Sequence, residues 1–344
     1  MVDVTVMGAG AFGLSVAWAC AKRGAKVRVI DPGGVAAGSS GGLVGALAPH
    51  TPENWNDKKA FQFESLIMAE AFWQEIEEFS GLNSGYGRTG RLQPLADDRA
   101  LELARKREDG AKELWQGLAT WRVVERSEFV DWAPQSPTGK LIYDTLTARM
   151  HPRQACQALA EALRQKGTEI GREGTTQGKV VWATGWQGLM QLSENIGRTV
   201  GNGVKGQAAL FKLDRIGKPQ LFADALHIIP HADGTVAVGS TSEREFEDPS
   251  TTDEQLDDVI ARAIKALPEL ADAPLLERWA GVRPRAKSRA PMLGEHPLRK
   301  GEFIANGGFK IGFGMAPKIG ECMADLVLED RDTIPEAFKP EASL

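Results

Sequence analysis

The sequence predicts an α/β fold, α+β overall, in which a strand-helix-strand domain is interleaved with a second, strand-rich domain. Three observations predict it: the order of elements in the first 31 residues, a strand-rich run from Lys205 to Thr241, and helical patterns on both sides of that run. Residues 2–7 are rich in Val and Thr and run straight into glycines, the pattern of a buried strand ending in a tight turn. Leu14, Ala17, Trp18 and Ala21 then recur at helical spacing and stop at Gly24, a C-terminal cap. Lys26 to Ile30 forms a second strand closed by Asp31. Together they make a strand-helix-strand unit of about 30 residues.

The remaining elements follow from the same periodicities. Amphipathic helices are expected from about Lys59 to Phe79 and Asp97 to Leu118, then irregular, Trp-bearing sequence to about Tyr143. Pro152 to Lys166 is helical with Pro at a starting position, and Lys179 to Ala183 is a buried strand. Asp233-Gly234 between Ile228-Ile229 and Val236-Ala237-Val238 marks a hairpin, hence an antiparallel sheet. Asp253 to Leu267 places Leu256, Val259, Ile260, Ala263, Ile264 and Leu267 on one helical face. The last strong helix begins near Ala316 and buries Ile319, Cys322, Met323, Leu326 and Val327.

With 344 residues, 42% of them hydrophobic and 25% charged, the chain can bury a sizeable core over two domains. A net charge of -5 argues against nucleic acid, whose phosphates require a basic face. The short basic clusters, Arg105 to Arg107 and Arg283 to Arg289, are too small to change that, and the first reads as a solvated helix face. Cys20, Cys156 and Cys322 lie far apart on apolar helix faces, as buried and unreactive thiols do, with no metal-ligand spacing. No positive leader and no apolar run of about 18 residues is present, so a cytoplasmic protein without membrane insertion is expected.

Gly8-Ala9-Gly10-Ala11-Phe12-Gly13 matches the dinucleotide fingerprint in its required place, after a strand and opening a helix. Gly8 permits the turn, Gly10 lets backbone amides approach a pyrophosphate, and Gly13 allows close packing of helix on strand. Asp31 is placed to bond a ribose hydroxyl. FAD and NAD share this fingerprint. A second stretch, Gly38 to Pro49, presents small side chains and backbone amides that could pack against a flat ring, bounded by Leu43, Val44 and Leu47.

These two stretches, with Met150-His151-Pro152-Arg153, Val181 to Gly185, Val204-Lys205-Gly206-Gln207, Trp279 to Pro284 and Gly307-Gly308-Phe309-Lys310, occur in a distinctive order. That order resembles the D-amino-acid oxidase, glycine oxidase and sarcosine oxidase superfamily over nearly the whole chain. The resemblance implies a Rossmann-like FAD-binding domain with an interleaved antiparallel β-sheet substrate domain. The expected bounds are 1–84, 148–203 and 293–335 for the first, 85–147 and 204–292 for the second, and 336–344 as a tail.

The resemblance also implies roles. Gly8, Gly10, Ala11, Phe12, Gly13 and Asp31 resemble the adenosine diphosphate contacts. Ser39, Ser40, Gly41, Gly42 and Leu43, continued by Gly45, Ala46 and Leu47, resemble the border of phosphates and ring. Thr184 and Gly185 resemble the turn against the nucleotide half, and Gly307, Gly308, Phe309 and Lys310 the backbone beside the flavin. Arg283 resembles an arginine near substrate and flavin, where a guanidinium could clamp a carboxylate with two parallel bonds. Lys310 aligns with a carboxylate-pairing lysine of sarcosine oxidases. His227 stands where D-amino-acid oxidases carry tyrosine, and His50 could line the site. His151, just before a helix, reads as a cap or packing residue. Pro284 to Gly294 lacks the cysteine through which sarcosine oxidases attach their flavin, so noncovalent FAD is expected.

The expected activity is oxidation of a C-N bond in a small amino or imino acid, such as sarcosine, iminodiacetate or glycine. Oxygen or another electron acceptor would reoxidise the flavin. An NAD-dependent dehydrogenase, a D-amino-acid dehydrogenase and a flavin-binding subunit of a larger complex remain alternatives.

Overall fold

Val4, Thr5 and Val6 have no exposed surface, so this strand is covered on both faces, as an apolar run without alternation requires in a parallel sheet. The computed structural model, which describes residues 1–344, places it centrally in a six-stranded sheet. The order is Met292–Glu295, Phe303–Asn306, Lys179–Trp182, Val4–Met7, Val27–Ile30, Glu169–Gly171, parallel except for the first pair. Helix Ala11–Lys22 buries every residue from Ala11 to Cys20 between this sheet and the helices Pro152–Gln165 and Gly312–Glu329. A helix apolar all round is an interior helix, and Trp18 at its centre is fully buried.

The second sheet has eight strands, in the order Leu275–Ala286, Gly201–Lys212, Thr235–Gly239, Leu226–Pro230, Gln220–Ala223, Arg91–Pro94, Lys140–Asp144, Trp121–Glu125. All neighbours are antiparallel except Gln220–Ala223 on Arg91–Pro94. The hairpin at Asp233-Gly234 pairs Ile229 with Ala237, and helix Glu254–Ala266 lays Leu256, Val259 and Ala263 onto this sheet's core.

Two local expectations are corrected. The stretch to Tyr143, read as irregular, contains Trp121–Glu125 and Lys140–Asp144 paired antiparallel with Val123 opposite Ile142. Its strands are short, and the intervening Pro, Ser and charged residues hide their alternation. The last helix begins at Gly312, four residues before Ala316, because it continues N-terminal of Pro317 through a Gly-Phe-Gly segment of weak helix propensity. Residues 336–344 make two short helical turns, and Phe338, fully buried, meets Phe61 edge-on with ring centroids 5.0 Å apart. All three cysteines are free and buried, and burial pushes the Cys20 and Cys156 thiols up to about 12. No helix is long and apolar enough to cross a membrane.

Candidate active site

The strand Val4–Met7 stops at Gly8 because the next backbone must turn toward helix Ala11–Lys22. Gly8 has φ of 118°, donates its N–H to Ile30 O at 2.8 Å, and leaves no room for a Cβ against the Ala183 carbonyl. Gly13 lies over the Gly8 carbonyl with equally little room, so a β-carbon at either position would separate helix from strand. The Asp31 carboxylate accepts from Ala9 N at 2.8 Å and from Gly33 N at 2.9 Å. It thereby ties both loops at the helix N-terminus and keeps lone pairs for a ribose hydroxyl. Ser40 Oγ accepts from Ala11 N at 3.0 Å.

Gly8, Ala11, Asp31, Gly33 and Ser40 line a groove of about 480 Å³ that also takes in Thr184, Gly185, Gly308 and Phe309. Backbone close to the space, a positive helix terminus and a ribose-facing carboxylate are what a dinucleotide needs, and the residues present fit FAD. Asn306, which no sequence signal marked, also lines the groove. It donates to Gly185 O at 2.9 Å and accepts from Gly307 N at 2.8 Å, joining two expected contact segments.

A chamber of about 350 Å³ continues the groove, the two sharing Ala11, Ser39, Ser40, Phe309 and Gly312. Arg283, Lys310 and His227 meet there although they come from three distant segments. Arg283 stands on Leu275–Ala286 beside Val204, and its guanidinium lies across Gly206, where any side chain would overlap it. Nη2 donates to Ser240 Oγ at 2.5 Å and Nη1 to Thr241 O at 3.3 Å. Burial lowers the Arg283 pKa to about 10, partly opposed by Glu243, so it remains a cation at neutral pH. Lys310 is lowered by burial and then by Arg283. His227 is held down to about 3 by burial and by the charges of Arg91, Lys310 and Arg283, so it is neutral, and its Nδ1 has no partner. No Asp or Glu lines the chamber. Ser240, Phe222 and Phe313 complete its wall, residues that only the folded register brings in.

Other expected contacts are placed differently. Gly45 and Ala46 line the chamber, whereas Gly41 packs on Ala36, Gly42 on Trp279, and Leu43 and Leu47 point into the cores. They shape the segment and do not line the cavity. Gly13 and Gly307 are likewise structural, and Gly307, with φ of 77°, turns the chain so that Phe309 N reaches Pro284 O at 2.9 Å. Arg283 lines the chamber and not the groove. His50 is not brought to the site: its Nδ1 and backbone N–H are both taken by Gln62 Oε1 from the neighbouring helix. His151 caps helix Pro152–Gln165, its Nδ1 accepting from Gln154 N at 3.5 Å.

A nucleotide groove opening into a cationic chamber under a mixed sheet defines a dinucleotide-dependent oxidoreductase. The sequence profile of the FAD dependent oxidoreductase family (DAO) matches residues 3–326, and the chain belongs to that family. It is an FAD-dependent enzyme. A glycine oxidase of Pseudomonas aeruginosa is 28% identical to it, over 99% of each chain. The crystal structure of glycine oxidase from Bacillus cereus has a TM-score of 0.83 at 22% identity, covering 96% of each chain. Iminodiacetate oxidase from Chelativorans sp. has 0.82 at 22%, covering 98% of this chain and 99% of that one.

Proposed function

We propose that the enzyme oxidises the C-N bond of a small amino or imino acid to an imine that water hydrolyses, with FAD held noncovalently and oxygen as the electron acceptor. A secondary amine such as sarcosine or iminodiacetate is favoured over glycine. The observation that carries this is the charge of the chamber: two cations, a neutral imidazole and no acid, directly beside the nucleotide groove. The names of the similar glycine and iminodiacetate oxidases support oxidation of a small amino or imino acid.

FAD held along Gly8, Gly10, Asp31, Ser40 and Thr184 would supply the acceptor for the hydride of the substrate α-carbon. The chain supplies the rest. Arg283 offers two N–H donors to a carboxylate and holds it at the Ser240 side of the chamber. Lys310 adds a second positive charge. Their combined field disfavours an ammonium group, so the substrate is held as the free amine and no side-chain base is needed to deprotonate it. Neutral His227 has an open acceptor for an amine N–H. Pro284 to Gly294 offers no cysteine for a covalent link, which supports a noncovalent flavin.

The test is anaerobic mixing of the yellow holoprotein with sarcosine, iminodiacetate, glycine and D-amino acids, followed by admission of oxygen and a peroxide assay. Bleaching and stoichiometric peroxide are expected with a secondary amine. Bleaching without peroxide would replace oxygen by another acceptor, and no bleaching with any compound would overturn the reading.

A further inference from the structure

Residues 39–46 form a strap that touches both cavities: Ser39 and Ser40 line groove and chamber, while Val44, Gly45 and Ala46 line the chamber. The strap is fastened from behind at alternate carbonyls. Gly41 O accepts from Arg153 Nε at 2.6 Å, Leu43 O pairs with His231 Nε2 at 2.9 Å, and Gly45 O accepts from Met150 N at 2.9 Å. Arg153 is itself fixed by two bonds to Glu277, at 2.9 and 2.6 Å.

His231 sits after the strand Leu226–Pro230 and has no exposed surface. A carbonyl can only accept, so Nε2 carries a proton, and Nδ1 has no partner. The groups facing it are the His151 ring, with centroids 4.8 Å apart, and Arg149, both buried, with Asp233 3.8 Å from His151 Nε2. Burial, then His151, holds His231 down to about 4, so the ring is neutral at neutral pH.

We propose that His231, seconded by Arg153, is a positioning residue: it latches the strap in the shape that FAD requires, although neither side chain lines the cofactor groove or the substrate chamber. Losing the His231 bond leaves the buried Leu43 carbonyl unpaired, and that cost falls on the strap geometry. Flavin affinity should respond, and with it the substrate KM, because the strap borders both cavities.

The test is FAD binding by apoprotein, read from the quenching of flavin fluorescence, for His231→Phe, His231→Gln and Arg153→Met. His231→Phe is expected to weaken FAD roughly ten-fold or more, to alter the shape of the bound flavin's visible band, and to raise KM more than it lowers kcat. His231→Gln, whose amide can place a donor near the Nε2 position, should recover affinity to within about three-fold of the wild type, by keeping the hydrogen bond. Should the Phe variant not fold, Arg153→Met loosens the same strap at Gly41 and is expected to weaken FAD as well. Wild-type FAD affinity in the folded variants would overturn the proposal. So would equal losses in His231→Phe and His231→Gln that merely track a lowered apoprotein Tm.

Discussion

Gly206→Ala offers a way to move Arg283 without touching it. A β-carbon built at Gly206 would lie 1.8 Å from Nη2 and 2.2 Å from Cζ of Arg283, against an ordinary carbon contact of about 3.5–4.0 Å. The guanidinium must therefore retreat by roughly 1.5–2 Å, and it can, because it is the free end of a flexible side chain. Its bonds to Ser240 Oγ at 2.5 Å and Thr241 O at 3.3 Å are lost on the way. Gly206 pairs regularly with Gly281, so the strand itself should tolerate alanine. A carboxylate clamp worth about 1.5–3 kcal/mol, displaced by this much, should lower kcat/KM about ten- to one-hundred-fold. The assay is steady-state kinetics on whichever amino or imino acid bleaches the flavin, alongside FAD affinity and Tm. FAD affinity should change little, and Arg283→Met should give a loss of the same order. Unchanged kcat/KM in Gly206→Ala would refute the reasoning that Arg283 holds substrate from this position.

Three further outcomes are expected. Gly8→Ala should purify without flavin, measured as the ratio of visible to ultraviolet absorbance, since a Cβ would collide with the Ala183 carbonyl at a φ of 118°. Lys310 is shifted below its ordinary 10.5, so kcat/KM for an anionic substrate should fall as pH rises through that lowered value, and Lys310→Met should lose this alkaline limb. His227 has a folded pKa of about 3 against an ordinary 6.5, so between those values the unfolded chain binds more protons and stability falls as pH falls. His227→Asn should therefore lose less stability between pH 7 and pH 4 in urea titrations.

The nucleotide half of the site was legible because its demands are local. Gly8 is required by the turn of the backbone and Gly13 by its close approach to the Gly8 carbonyl, and the acid at Asp31 follows the next strand directly. The chamber was legible only in part. Arg283, Lys310 and His227 could be named from short motifs resembling a family, but Ser240 and Phe222 carry no signal of their own. They reach the chamber through the pairing of separate strands, and His231 reaches the strap across 188 positions of sequence. His50 misled for the converse reason: it follows the strap in sequence, yet Gln62, one helix further on, claims its ring. Gly41, Gly42 and Leu43 were expected at the cofactor from the resemblance of their segment to a family's, and the same small and apolar residues equally suit a tightly packed strap.

The most direct measurement is a spectral titration of holoprotein with thiodiacetate, a dicarboxylate whose sulfur replaces the oxidisable nitrogen. If substrate carboxylates are held by Arg283 beside the flavin, the visible flavin band should shift saturably in the wild type, and the shift should disappear in Arg283→Met at equal flavin content. A shift of the same size and midpoint in both proteins would contradict the account.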